Sequence, residues 1–273
     1  MSNLGGPGEG VKGVRAGRQT AYLLSELVRR DFTARFAGSA LGITWAILQP
    51  LSLVILYWFV FTIIFPASGG SPRPGGGTGE PYVLFLIAGL VPWLGFNEGI
   101  IRGTTSIIEN SAMVRRLTFR SEVLVAVPNI SAVLFEMVGL ILLIVYLGLQ
   151  GRSLWSLWLL PFALLLQLLL QVGLSLALAT IQVFFRDVLQ ILGFAMSILF
   201  YLSPILYRVP PGWENAFAWN PMTPLLGLFR SALLSAPLPP PASIVFLMVV
   251  ALGSLTAGLA LFRRAQPSLT DLI

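Results

Sequence analysis

Apolar residues run along this chain in six long blocks, and polar residues are confined to the gaps between them. Runs longer than ~18 uncharged residues argue membrane helices. The pattern predicts spans at about 42–65, 82–101, 123–149, 154–183, 188–207 and 243–262. The second contains Gly89, Pro92 and Gly95, which predicts a kink or break midway. The fourth lies in an uncharged interval long enough to tilt or to extend past the bilayer.

The gaps have characters of their own. Residues 1–20 are rich in Gly and basic residues without an apolar period, and read as a disordered cytoplasmic tail with no signal-peptide pattern. In 21–36, Leu24, Leu27, Val28, Phe32 and Phe36 share one face, with Ser25, Glu26, Arg29, Arg30 and Thr33 largely opposite. That is an amphipathic helix lying in the membrane interface, or a basic anchor preceding the first span. The segment after the first span is a Gly/Pro-rich connector. Residues 102–122 carry Arg102, Arg115, Arg116 and Arg120 with Glu109 and Glu122, and Ile107, Ile108, Met113, Val114 and Leu117 fall near helical spacing. Such a segment is either a short helix that feels a push from a soluble partner or a charged loop that only fixes topology. Phe184–Asp187 makes a tight return. Residues 208–241 mix aromatics, leucines and prolines with few charges, predicting two short helices, about 212–219 and 223–234, that dip back toward the membrane. Backbone of that kind is tolerated only where protein or a water-filled cavity covers it.

The pattern therefore predicts an all-α polytopic membrane protein. It has an N-terminal interface helix (21–36), six transmembrane helices and two short re-entrant helices between spans five and six, with one transmembrane domain over 21–273. Composition agrees: 56% of the 273 residues are hydrophobic and 10% charged, against roughly 25% charged in soluble domains. Mean hydropathy is +0.85. Of 17 basic residues, 13 fall in segments that share a side with the N-terminus and four (Arg73, Arg152, Arg208, Arg230) on the other. The positive-inside rule then places both termini in the cytoplasm. The basic charge is spread over these loops rather than gathered on one face, so no nucleic-acid partner is expected.

Histidine and cysteine are absent. Their absence excludes Ser-His-Asp and Cys-His nucleophiles, disulfides and most zinc sites, and no metal or catalytic residue is expected. The one lysine, Lys12, has no Walker A surroundings, so the chain is not a P-loop ATPase. Glu136 lies mid-span, where a carboxylate costs roughly 2.5–3.5 kcal/mol. It reads as structural or channel-lining ahead of a proton relay. Gln167 and Gln171 form a polar stripe suited to joining helices, and Glu98 can pair with Arg102. Aromatics recur near span ends, among them Tyr57, Trp58, Phe61, Trp93, Phe96, Phe200, Tyr201, Trp213 and Trp219. They form an interfacial belt or rings over which a sugar polymer could pass.

Segments Glu26–Leu51 (ELVRRDFTARFAGSALGITWAILQPL) and Glu109–Leu124 (ENSAMVRRLTFRSEVL), followed by VFFRDVLQIL, LSPILY and WNPMTPLLGLFR, occur in an order that resembles one family. It is the ABC-2-type permease subunit of bacterial exporters of lipid-linked polysaccharides (O-antigen, teichoic acid, capsule). The chain departs from it at Arg120, where that family often has proline. The resemblance implies a pore made by two copies of the chain, with two copies of a separate ATPase subunit beneath it. ATP and Mg would be bound by that partner, and no cofactor by this chain. Contact with the ATPase would fall to Glu109, Asn110, Met113, Arg115 and Arg116, to Arg186 and Asp187, and to Arg29, Arg30 and Asp31. The channel would be lined by Tyr57, Trp58, Phe61, Trp93, Phe96, Glu136, Phe200 and Tyr201. The external gate would include Trp213, Trp219, Asn220, Pro221 and Pro224. The implied activity is outward movement of a lipid-linked glycan across the cytoplasmic membrane. Export of a drug or small lipid, proton-coupled transport through Glu136 and lipid modification are the competing functions.

Overall fold

The computed structural model describes residues 22–35, 37–60, 63, 82–111 and 121–272. The predicted tail, nearly all of the Gly/Pro-rich connector and residues 112–120 of the basic loop lie outside these. All regular structure among the described residues is helical. Helix α1 covers 22–34, and a 3-10 turn, Gly42–Thr44, leads into α2, Trp45–Phe59. Two 28-residue helices follow, α3 (Tyr82–Glu109) and α4 (Glu122–Leu149). A second 3-10 turn, Trp155–Leu159, opens α5, Leu160–Phe184. Then come α6 (Val188–Leu202), α7 (Glu214–Ala218), α8 (Met222–Leu234) and α9 (Pro241–Leu272).

Four of these helices are long and apolar enough to cross a membrane: α3, α4, α5 with its 3-10 turn, and α9. The other two apolar blocks hold α2 and α6, of 15 residues each. Over the described residues each rises about 22 Å, against a ~30 Å hydrocarbon core. The fifth block was predicted to stay helical to Tyr207, but α6 stops at Leu202. Ser203 is extended (φ −91°, ψ 142°) because Pro204 disfavours helical backbone before it.

Helix α3 departs from the predicted pattern in the opposite sense. It runs unbroken through Pro92 and continues past Ile101 to Glu109. Arg102 does not end it, because the guanidinium is paired with Glu98 one turn back and with Asp31 of α1. Thr104 and Ser106 turn their hydroxyls onto the carbonyls of Ile100 and Gly103, which suits them to apolar surroundings. From Tyr82 to Arg102 the helix rises about 30 Å, the thickness of a bilayer's hydrocarbon core.

The core lies where α3, α4, α5 and α8 meet, and its interior is polar along one seam. Gly95, Gly99 and Gly103 recur at every fourth position of α3 and share a face. A Cβ at Gly99 would lie 2.8 Å from Gln171 Nε2 and 3.0 Å from Asn129 Oδ1. At Gly95 a Cβ would run into the carboxylate of Glu136. The bare stripe therefore makes room for a ladder of hydrogen bonds between helices. Gln167 Nε2 donates to Glu136 Oε2, Gln171 Nε2 donates to Gly95 O at 2.8 Å, and Ser175 Oγ donates to Asn129 Oδ1 at 3.3 Å. Each such bond in a membrane contributes on the order of 0.6 kcal/mol, up to about 2. Helices α5 and α9 cross backbone to backbone, since a Cβ at Gly258 would collide with the carbonyl oxygen of Gly173.

Candidate functional site

At the Arg102 end of α3, α1 is clamped to it by a chain of alternating charges. Asp31 Oδ1 pairs with Arg102 Nη2 at 2.7 Å. Arg102 Nη1 reaches Glu98 Oε1 at 3.4 Å, and Arg35 Nη1 pairs with the same oxygen at 2.6 Å. Arg35 also stacks 3.8 Å over the ring of Phe135 on α4. The four side chains are one-fifth to one-third exposed, so water only partly screens them. Val28 is buried and Leu24 and Leu27 half-buried beneath α1, while Arg29 and Arg30 face outward. The amphipathic pattern of the segment thus becomes a docked helix with a free basic face.

A cavity of about 200 Å³ opens beside this clamp, lined by Arg30, Asp31, Arg102, Glu109 and Asn110 among others. Glu109 is exposed at the end of α3, and Asn110 Nδ2 donates to Ser106 O at 2.8 Å. Arg186 and Asp187 are exposed on the tight return between α5 and α6, beside an exposed Phe185. Met113, Arg115 and Arg116 lie outside the described residues. Of the residues expected to meet an ATPase, the structure brings Arg30, Asp31, Glu109 and Asn110 around one cavity and places Arg186 and Asp187 on a separate turn. Asp31 is not wholly free for a partner, because one of its oxygens holds Arg102.

In the middle of the bundle, Trp93 and Phe96 are buried, and Trp93 meets Phe200 with centroids 5.6 Å apart. Phe200 stands edge-on to Tyr201, which is 67% exposed. These rings connect the α3 core to the open face of α6. Tyr57 and Glu136 instead line a second cavity of about 230 Å³ between α2, α3 and α4, with Gln49, Asn97 and Glu98 also on its wall. Glu136 is buried, and only one of its oxygens is hydrogen-bonded. The side chain of Trp58 and all of Phe61 lie outside the described residues.

Toward the Tyr82 end of α3, α8 is sunk into the bundle against α3, α5 and the 3-10 turn. Asn220 shapes its approach: Nδ2 donates to Leu202 O and Ser203 Oγ, and Oδ1 accepts from Met222 N at 2.9 Å. Pro221 stands at the N-cap of α8, and Pro224 is buried in its first turn. Trp213 and Trp219 are exposed, and Trp219 packs edge-on against Phe246 of α9 at 6.0 Å.

Three side chains here were not singled out from sequence. Arg35 completes the clamp. Tyr82 donates its hydroxyl to Leu206 O at 2.7 Å. Arg230, buried in α8, lies 3.6 Å over the ring of Phe85 and donates to Phe85 O and Ile205 O at 3.4 and 3.2 Å. The sequence signal for Arg230 is a lone arginine inside an otherwise apolar helix, which must find partners once buried.

The sequence pattern of the ABC-2 type transporter family matches residues 22–234, the clamp and helices α7 and α8 included. The chain is 25% identical over 271 residues to the O-antigen export system permease protein RfbA of Myxococcus xanthus, covering 96% of this chain and 100% of that protein. It is 26% identical over 213 residues to a protein of the same name from Klebsiella pneumoniae, covering 76% and 78%. With the polysialic acid transport protein KpsM of Escherichia coli it shares 22% identity over 248 residues, 89% of this chain and 93% of KpsM.

Proposed function

The chain belongs to the ABC-2 type transporter family, and on that premise we propose that it is the permease subunit of an ATP-driven polysaccharide exporter. Its cargo is a lipid-linked glycan moved outward across the cytoplasmic membrane, and two copies of the chain form the conduit. A separate subunit beneath each copy binds ATP and Mg. Both termini face the cytoplasm, and α7 and α8 form the external gate. The observation that carries this reading is the end-to-end similarity to an O-antigen export permease, which covers 96% of the chain.

The inner clamp supplies a physical route for the force. An ATPase pressing on the outward face of α1 or on the end of α3 pushes both together, because Asp31, Arg102, Glu98 and Arg35 join them. The push shifts an equilibrium only by as much as the partner's two nucleotide states differ in affinity for that surface. Glu136 takes a structural part in this scheme, held by Gln167 at the α4–α5 contact.

Reconstitution with the ATPase subunit in proteoliposomes tests the reading, with a lipid-linked glycan in one set and a small amphiphilic dye in another. Glycan that becomes accessible to an added glycosidase only with ATP is the expected outcome. ATP-driven movement of the dye without the glycan would replace the cargo. Translocation by the chain alone would overturn the mechanism.

A further inference from the structure

Arg208 and Arg230 crowd a single aromatic ring at the outer end of α3. Their guanidinium carbons lie 5.2 Å and 3.6 Å from the centroid of Phe85, which bounds their separation at about 9 Å and puts both within cation–π range. Neither has a carboxylate within ion-pair distance among the described residues. Arg230 is 8% exposed, and its bonds to Phe85 O and Ile205 O are at the long end of the hydrogen-bond range. Its Nη1 and every nitrogen of Arg208 make no hydrogen bond to the described residues. Glu214, the described acid nearest in sequence, is occupied with the backbone N–H of Gly212.

A buried cation such as Arg230, with a second cation beside it, is unfavourable unless something negative compensates it. The ring and two carbonyls offer only partial charges. We propose that Arg208 and Arg230 form a phosphate-binding site, and that its ligand is the phosphate or pyrophosphate of a lipid at the outer face of the membrane. The depth fits, since Phe85 lies within one turn of the start of α3 and the ring faces the segment just beyond the end of α6. Lipid phosphate esters occupy that level of a bilayer. Guanidinium groups suit the ligand because their planar forks match phosphate oxygens. Arg230 is fixed by α8 and its carbonyl contacts, and Arg208 is exposed and free to close over the ligand.

This inference rests on the proposed orientation and cargo, to which it adds a landing point. The anionic head of the carrier lipid would be held beside α8 as the glycan leaves.

The test is calorimetric titration of the permease–ATPase complex in phosphatidylcholine nanodiscs. Farnesyl pyrophosphate, farnesol, inorganic pyrophosphate and glucuronic acid serve as probes. Farnesyl pyrophosphate should bind and farnesol should not, and Arg208→Gln should weaken binding about tenfold, equivalent to about 1.4 kcal/mol. Arg230→Lys, which keeps the charge but not the fork, should weaken it less, with the complex still eluting as a single species. If inorganic pyrophosphate binds as tightly as the farnesyl ester, the phosphate site stands and its ligand is a free anion. Equal binding by farnesol or glucuronic acid, or an unchanged Kd in Arg208→Gln, would overturn the site. Failure of farnesyl pyrophosphate to bind a complex that still exports glycan removes the site and leaves the export function. Phosphate binding by a complex that moves no glycan does the reverse.

Discussion

Replacing Arg102 with Gln should release α1 from the bundle while leaving the rest of the fold in place. The guanidinium holds Asp31 at 2.7 Å and Glu98 at 3.4 Å, and its side chain is 33% exposed. Fully exposed ion pairs contribute about 0.2–1 kcal/mol, and breaking a fully buried one costs about 3–5 kcal/mol. A pair screened by water on one side falls between, at about 1–2 kcal/mol for the Asp31 contact. Arg35 still holds Glu98 at 2.6 Å and stacks on Phe135, so the last turn of α1 stays tethered. The loss should therefore be local. Hydrogen exchange read by mass spectrometry, on the complex in nanodiscs, should show protection of peptides within 22–34 falling about 5–30-fold. Protection in α5 should not change. Asp31→Asn should give a similar loss, and the double variant should lose less than the two losses combined, because both remove the same contact. Additive losses, or an effect of Arg102→Gln no larger than that of the exposed Arg29→Gln, would refute a clamp at this position.

Three further outcomes are expected. Gly258→Val should destabilise the fold by at least about 1–3 kcal/mol, seen as a lower melting temperature or loss of a single species on size exclusion, because its Cβ meets the Gly173 carbonyl. Glu136→Gln should keep ATP-dependent export within about twofold while Glu136→Leu impairs it, since only the amide preserves a polar partner for Gln167. Complete loss of export in Glu136→Gln would instead favour a proton-coupled carrier. Trp219→Ala removes the edge-on contact with Phe246, worth about 0.5–1.5 kcal/mol, and should alter leak or export at the outer face.

The helical blocks were legible because hydrocarbon imposes a simple rule on the sequence: long uncharged runs, with charges between them. The two short helices α7 and α8 were legible too, at about 212–219 and 223–234 against Glu214–Ala218 and Met222–Leu234, because prolines punctuate them. What the sequence concealed depended on partners distant along the chain. Arg102 looked like the end of a span, but Asp31, 71 positions away, lets the helix carry it onward. Pro92 predicted a kink or a break, and α3 stays helical through it with the residue buried. The stripe of Gln167 and Gln171 was visible, but not that Gly95 and Gly99 of another helix are bare to receive it. Arg230 could be counted as a charge and not as a staple, because its partners Phe85 and Ile205 come from two other segments.

The contact of α5 with α9 through Gly173 and Gly258 has a mechanical corollary. The two helices touch backbone to backbone there and share the most extensive packing among the described elements, so they should move together as one frame. Displacement during a transport cycle would then fall to α2 and α6, which pack less against the other described residues and carry exposed apolar side chains. The chain has no native cysteine, so a pair introduced across the α5–α9 crossing would report without background. Locking it should leave turnover intact, whereas tethering α6 to α3 should stall it.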